Sequence, residues 1–185
     1  MSEFTYGNII RNVDQTKLVE HLPKGTPTLK LSEDWFAFFT PEDGEFVAPL
    51  LLEKLSERCP ILYFTHLEDH GWGFDIFDKG EAISSLQVLY ELMDDEDEEM
   101  MDEDEEADAS VLNGYMKLRP RAEAFSVFEL EKEQIKSLEQ LFAGNLAFDE
   151  EEFVAVETFK ELLGIQEMSW IRYERTEGRE EIEYV

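Results

Sequence analysis

Apolar and polar positions alternate most clearly between Pro60 and Tyr90. Three runs, Ile61–Leu67, Trp72–Asp78 and Glu81–Tyr90, are separated by Glu68-Asp69-His70-Gly71 and by Lys79-Gly80, the punctuation of an antiparallel meander. In the second run Trp72, Phe74 and Ile76 fall on one face and Asp75 on the other. One face is therefore expected to pack inward and the other to be at least partly wet.

Upstream, the three-to-four spacing of Leu18, Val19 and Leu22 predicts a short helix starting near Asp14 and stopped by Pro23-Lys24-Gly25. Thr28–Leu31 and Asp34–Thr40 are aromatic-rich strand candidates closed by a turn at Pro41-Glu42-Asp43-Gly44. Phe46, Leu51, Leu52, Leu55 and Cys59 predict helix over 45–59, with Pro49 tolerable only in a first turn. Downstream, Phe125, Val127 and Phe128 tilt Glu123–Leu130 toward strand. Ile135, Leu138 and Phe142 stripe a helix over Glu131–Phe142 that Gly144-Asn145 ends. Asp149-Glu150-Glu151-Glu152 reads as a capped start for a helix burying Phe153, Val156, Phe159 and Leu163, with Gly164 as its stop. Met168–Arg175 alternates as a strand, and Glu181–Val185 is expected to form a last strand. Trp35, Trp72 and Trp170 then all fall in strands, which points to a core role for each. Asp-Trp-Phe-Ala-Phe-Phe faintly echoes Ser-Trp-Ile-Arg-Tyr-Glu, too little to make a repeat.

The pattern stops at residue 94. Asp94, Asp95, Glu96, Asp97, Glu98, Glu99, Asp102, Glu103, Asp104, Glu105, Glu106 and Asp108 place 12 carboxylates in 15 consecutive positions with no base among them. Such a run repels itself and has little to bury, so a disordered, solvated loop at 94–108 is expected. The expected fold is α+β: a single domain over 1–185, built on a mainly antiparallel, aromatic-rich sheet with about four packed helices and the acidic insert looping out. Fourteen Phe, six Tyr and three Trp exclude a wholly disordered chain.

Charge narrows the partners. The formal net charge is -29, and outside the run 33 acids still face all 16 Lys and Arg. That field repels nucleic acid and anionic lipid, and attracts a basic protein surface. No apolar run has the roughly 18 residues of a membrane span, the first residues lack a signal-peptide pattern, and one cysteine makes no internal disulfide. A cytoplasmic setting is the resulting expectation. Lys117, Arg119 and Arg121 form the densest basic patch and are expected to neutralise part of the run.

Candidate chemistry is sparse. His66-Leu67-Glu68-Asp69-His70 is the one metal-like cluster, but its histidines would align on one ion only in a helix, so a hydrophilic hairpin tip is expected instead. Cys59 precedes Pro60 at a predicted helix end, where the helix dipole opposes a thiolate, so a buried structural thiol is expected. Phosphate-binding glycine loops and a nucleophile elbow are absent, and the run lacks the glycine-bearing turn of a calcium loop. No catalytic residue, metal ligand or cofactor is assigned. The leading expectation is a non-enzymatic acidic protein that uses the run to bind a basic protein surface, as an immunity- or antitoxin-like inhibitor does. Its alternatives are a DNA-mimic inhibitor of a nucleic-acid-binding protein and a small-molecule or metal-dependent enzyme with a pocket near the His66/His70 hairpin.

Overall fold

Eight strands form one antiparallel sheet in the computed structural model, which describes residues 3–41, 44, 46–90, 115–118, 120–146 and 154–185. They are β1 (Phe4–Arg11), β2 (Pro27–Lys30), β3 (Trp35–Phe38), β4 (Ile61–Leu67), β5 (Gly71–Asp78), β6 (Glu81–Leu89), β7 (Tyr115–Leu118) and β8 (Glu183–Tyr184). Their order across the sheet is β7-β6-β5-β4-β1-β3-β2-β8. The helices are α1 (Gln15–Val19), α2 (Leu51–Leu55), α3 (Lys132–Phe142) and α4 (Val154–Leu163). The α+β architecture with an aromatic-rich antiparallel sheet is thus present.

The meander forms because its turns fit their residues. Lys79 and Gly80 both take positive φ, 53° and 84°, and Asp78 pairs directly with Glu81, as a two-residue hairpin turn of the right twist requires. Ser56, just past α2, fastens this turn: its carbonyl accepts from Lys79 N–H at 3.0 Å and its hydroxyl from Gly80 N–H at 3.0 Å. At the other end Gly71 has φ +145°, and a Cβ there would lie 1.9 Å from the Val88 carbonyl oxygen, so only glycine fits.

Both faces of the sheet carry a core, and alternate residues feed each. Ile9, Trp35, Leu62, Phe64, Trp72, Phe74, Ile76 and Val88 point to the first face, where Phe125, Phe128, Leu138, Val156, Phe159 and Ile171 cover them. Tyr6, Ile10, Phe36, Phe38, Ile61, Tyr63 and Phe77 point to the second, under Leu18 and Leu22 near α1 and Leu52, Leu55 and Cys59 in and after α2. On the first face Phe159 stacks parallel to Phe74 with centroids 5.2 Å apart, and also touches Phe64, Trp72 and Phe125. The indole N–H groups of Trp35 and Trp72 donate to the carbonyls of Leu163 and Leu146, at 2.5 and 2.8 Å, so neither is buried without a partner.

The structure departs from the sequence pattern at five places, one of them β7 (Tyr115–Leu118), where the pattern assigns no strand. The pattern assigns no strand to residues 4–11, yet β1 sits between β3 and β4 near the middle of the sheet. With both faces buried it shows no alternation, and Gly7 is required because Phe39 crosses within 2.6 Å of where its Cβ would be. Helix over 45–59 shortens to α2, since Pro49 supplies only its carbonyl, to Leu52 N–H, and the helix starts after it. Glu123–Leu130 is not a strand: Ala122–Phe128 forms a 3-10 helix, and the spacing of three in Ala122, Phe125 and Phe128 matches its three residues per turn. Met168–Arg175 is not a strand either. Met168 and Ile171 turn inward, Trp170 takes φ +57° and stays 40 % exposed, and Tyr173–Arg175 is a 3-10 turn, so Trp170 is not a core residue.

Two other expectations fall partly or wholly outside the described residues. The capped start at Asp149–Glu152 and Phe153 lie there, whereas Val156, Phe159 and Leu163 are buried on α4 and Gly164 ends it at φ +73°. The acidic run at 94–108 and Arg119 lie there as well.

Candidate functional site

Three places bring chemistry-bearing residues together, and each is positioned by the sheet. The first is the root of the acidic run. Leu89 pairs with Tyr115 and Val88 with Met116, so the chain leaves β6 and returns in β7 at neighbouring positions on the sheet edge. The twelve carboxylates assigned to partner binding, Asp94 to Asp108, belong to this connection and lie outside the described residues. Its near end is anchored, because Tyr90 N–H donates to the His70 carbonyl at 2.9 Å and burial raises the Tyr90 phenol above its ordinary range. Of the basic patch, Arg121 is the member whose side chain is described, and it lies 4.0 Å from Glu123.

The second is a buried polar cluster at the same end of the sheet. Glu3 is its hub: one carboxylate oxygen accepts from the Thr5 hydroxyl at 2.6 Å and from Trp170 N–H at 2.9 Å, and the other lies 3.7 Å from His66 Nδ1. Glu3 N–H donates in turn to Glu68 at 2.6 Å. Lys160 reaches in from α4, fully buried, and donates to Glu157 at 2.9 Å and to Ser169 at 2.7 Å. Burial lowers the His66 pKa; Glu3 opposes that and Lys160 adds to it. Holding Trp170 in a left-handed conformation costs about 1–3 kcal/mol, which the hydrogen bond to Glu3 and the burial of Met168 and Ile171 on either side of it offset.

This cluster corrects the expectation of a hydrophilic tip at His66, whereas Asp69 and His70 are exposed in the turn as expected. His66 is inside β4 and only 2 % exposed, while His70 sits in the exposed turn with its ring 6.1 Å from Phe4. A strand running into a turn spreads two imidazoles that a helix would align. Among the described residues no group of three or more His, Cys, Asp or Glu is placed to hold a metal ion.

A cleft on the second face is the third place. Phe46, Tyr63, Thr65, Asp75 and Gln87 help to line about 30 Å³, room for a water molecule and little more. The Tyr63 hydroxyl pins the preceding loop by bonding both N–H and carbonyl of Gly44. Asp75 accepts from Ser85, and burial raises its pKa above the ordinary carboxylate value. The cleft is lined by both strands of the β4–β5 hairpin, on the face opposite His66.

Cys59 is buried in the second core, and its thiol is pushed up to about 12, first by burial and then by Asp14. The buried thiol expected from its position before Pro60 is therefore present. Sequence reasoning missed Glu3, Lys160 and Ser169, because nothing in their local pattern marks a lysine or glutamate as buried. No family model matches the chain, and neither does any curated protein or solved structure.

Proposed function

We propose that the protein is a non-enzymatic binding protein whose acidic run engages a basic protein surface, in the manner of an immunity- or antitoxin-like inhibitor. The observation that carries this reading is the density of charge: 12 carboxylates in 15 positions on a chain of net charge -29. The connection that contains the run starts after β6 and ends at β7, where Leu89 and Tyr115 pair. Bases elsewhere do little to cancel it. Arg11, Lys17, Lys30, Arg121, Lys160, Arg172 and Arg179 each lie within 4.0 Å of a carboxylate of their own.

A field of this sign attracts cationic surfaces and accelerates their encounter, more strongly at low salt. It repels nucleic acid and anionic membranes, so the proposed partner is a basic protein. A reducing, cytoplasmic setting agrees with a lone cysteine kept buried as a thiol. Among the described residues no helix is long and apolar enough to cross a membrane.

Affinity capture from native lysate at low and high salt tests the reading, with the wild type beside a variant carrying Asn and Gln at all twelve acidic positions. The expected result is a discrete basic protein retained by the wild type at low salt and lost both at high salt and in the variant. Equal retention by the variant would move the binding surface to the folded sheet and helices; absence of any retained protein would remove the proposal. If the retained protein binds nucleic acid and the wild type competes with that nucleic acid, the DNA-mimic form of the reading is the one that holds.

A further inference from the structure

The Glu3, His66, Lys160 and Trp170 cluster joins parts of the chain that are far apart in sequence. Glu3 leads into β1, His66 is the penultimate residue of β4, Lys160 projects from α4, and Trp170 belongs to the C-terminal segment. Three hydrogen bonds hold that segment against the start of β1: Trp170 N–H to the Glu3 carboxylate at 2.9 Å, Tyr6 N–H to the Ile171 carbonyl at 3.1 Å, and the Arg172 guanidinium to the Tyr6 hydroxyl at 3.3 Å. The first depends on a carboxylate that also faces His66 at 3.7 Å, and it restrains a residue in a left-handed conformation that non-glycine residues avoid.

We propose that this cluster is an acid-opened joint: proton uptake by His66 loosens the Trp170 turn from the start of β1 while the central sheet stays folded. Four charged groups face His66. Glu3 comes from the start of β1, Glu68 from the β4–β5 turn, and Glu157 and Lys160 from α4. In the closed joint the imidazole is 2 % exposed, and the cost of burying its charge outweighs the attraction of the Glu3 carboxylate, with the buried Lys160 ammonium adding to that cost. Its lowered pKa agrees, with burial as the largest cause. Once opened, the ring meets water and regains an ordinary pKa of about 6.5. The open form therefore binds more protons. The closed joint is favoured in full above about pH 6.5, and that preference is lost as the pH falls from there toward the lowered value of the closed state. Within that window the open-to-closed ratio rises by up to about tenfold per pH unit. Met168 and Ile171, both buried, keep the flanking chain docked, which confines the opening to the turn.

Amide hydrogen exchange on the full-length chain from pH 7.5 to 5.5 tests this, with protection factors corrected for the intrinsic pH dependence of exchange. Protection at Trp170 should fall by up to about tenfold per unit below pH 6.5, while that of Ile9, in the middle of the sheet, stays constant. In His66→Gln, which has no proton to gain, Trp170 protection should not change with pH. A flat profile at Trp170 in the wild type would overturn the proposal, as would a parallel fall at Ile9 or an unchanged fall in His66→Gln. Should that variant not fold, the wild-type His66 ring titration decides together with the exchange profile: a loss of Trp170 protection that tracks the ring titration supports the joint, and a ring that titrates with no change at Trp170 refutes it.

Discussion

The two faces of the sheet are built from the same strands but covered very differently. The first carries α3, α4 and the Ala122–Phe128 turn, whose phenylalanines interlock with those of β4 and β5 and whose layer accepts the indole hydrogen bonds of Trp35 and Trp72. Among the described residues the second is covered by two five-residue helices, α1 and α2. Beyond them lie the small cleft and the half-buried Asp75 and Ser85, and Val47 and Leu50 beside α2 remain exposed at 69 % and 86 %. Stability should therefore be concentrated on the first face, because a large side chain with neighbours on every side leaves a cavity that cannot collapse.

Truncating the centre of the first face should have the largest effect. Phe159→Ala removes a ring that touches Phe64, Trp72, Phe74 and Phe125, and should cost about 3–5 kcal/mol in a urea unfolding curve. Trp72→Ala should fall in the same range of about 3–5 kcal/mol, since it also leaves the Leu146 carbonyl without its donor. On the second face Leu52→Ala should cost less, about 2–3 kcal/mol, because the short α2 and its exposed approach can settle into the space. Equal losses for Leu52 and Phe159 would show that the faces do not differ in the way their coverings suggest.

Asp75 sharpens the comparison through pH. Its pKa is raised in the fold, so its contribution is favourable only when protonated and is lost as the pH rises through the folded value. Asp75→Asn keeps an acceptor for Ser85 and removes the buried charge, and should raise the Tm at pH 7 by about 1–3 °C. The gain should vanish near pH 3.5, where the wild-type carboxyl is neutral too. A lower Tm at pH 7 would mean that the carboxylate has a partner that stabilises its charge.

The smallest effect is expected from the segment with the largest charge. Replacing 94–108 with a Gly-Ser linker should leave the Tm within about 2 °C, because Leu89 and Tyr115 already pair at the ends of the connection. A large loss would show that the run contributes to the fold.

Much of the fold is legible in the residues, and the parts that are not share a physical cause. The β4–β5–β6 meander could be read because Gly71 and Lys79-Gly80 punctuate it and because β5 alternates between two different environments. β1 could not, since a strand buried on both faces has no alternation, and Gly7 and Asn8 are poor strand formers taken into use by contacts with Phe39 and the Phe38 carbonyl. The phenylalanines of Ala122–Phe128 suit a sheet by composition, and their spacing of three is the mark of the 3-10 turn they form. The polar cluster was half legible: His66 stood out, but its burial and its partners Glu3 and Lys160 are products of long-range packing.

We propose that folding and binding are separable, with the aromatic face holding the structure and the acidic run attracting a basic partner. The most direct test is the association rate of the captured basic protein with the wild type and with the variant whose twelve carboxylates are replaced by Asn and Gln, measured across a salt series. The wild-type rate should fall steeply as salt shortens the reach of the field to about 8 Å near physiological ionic strength, and the variant should bind more slowly with little salt dependence. Equal rates for the two proteins at every salt concentration would contradict the claim.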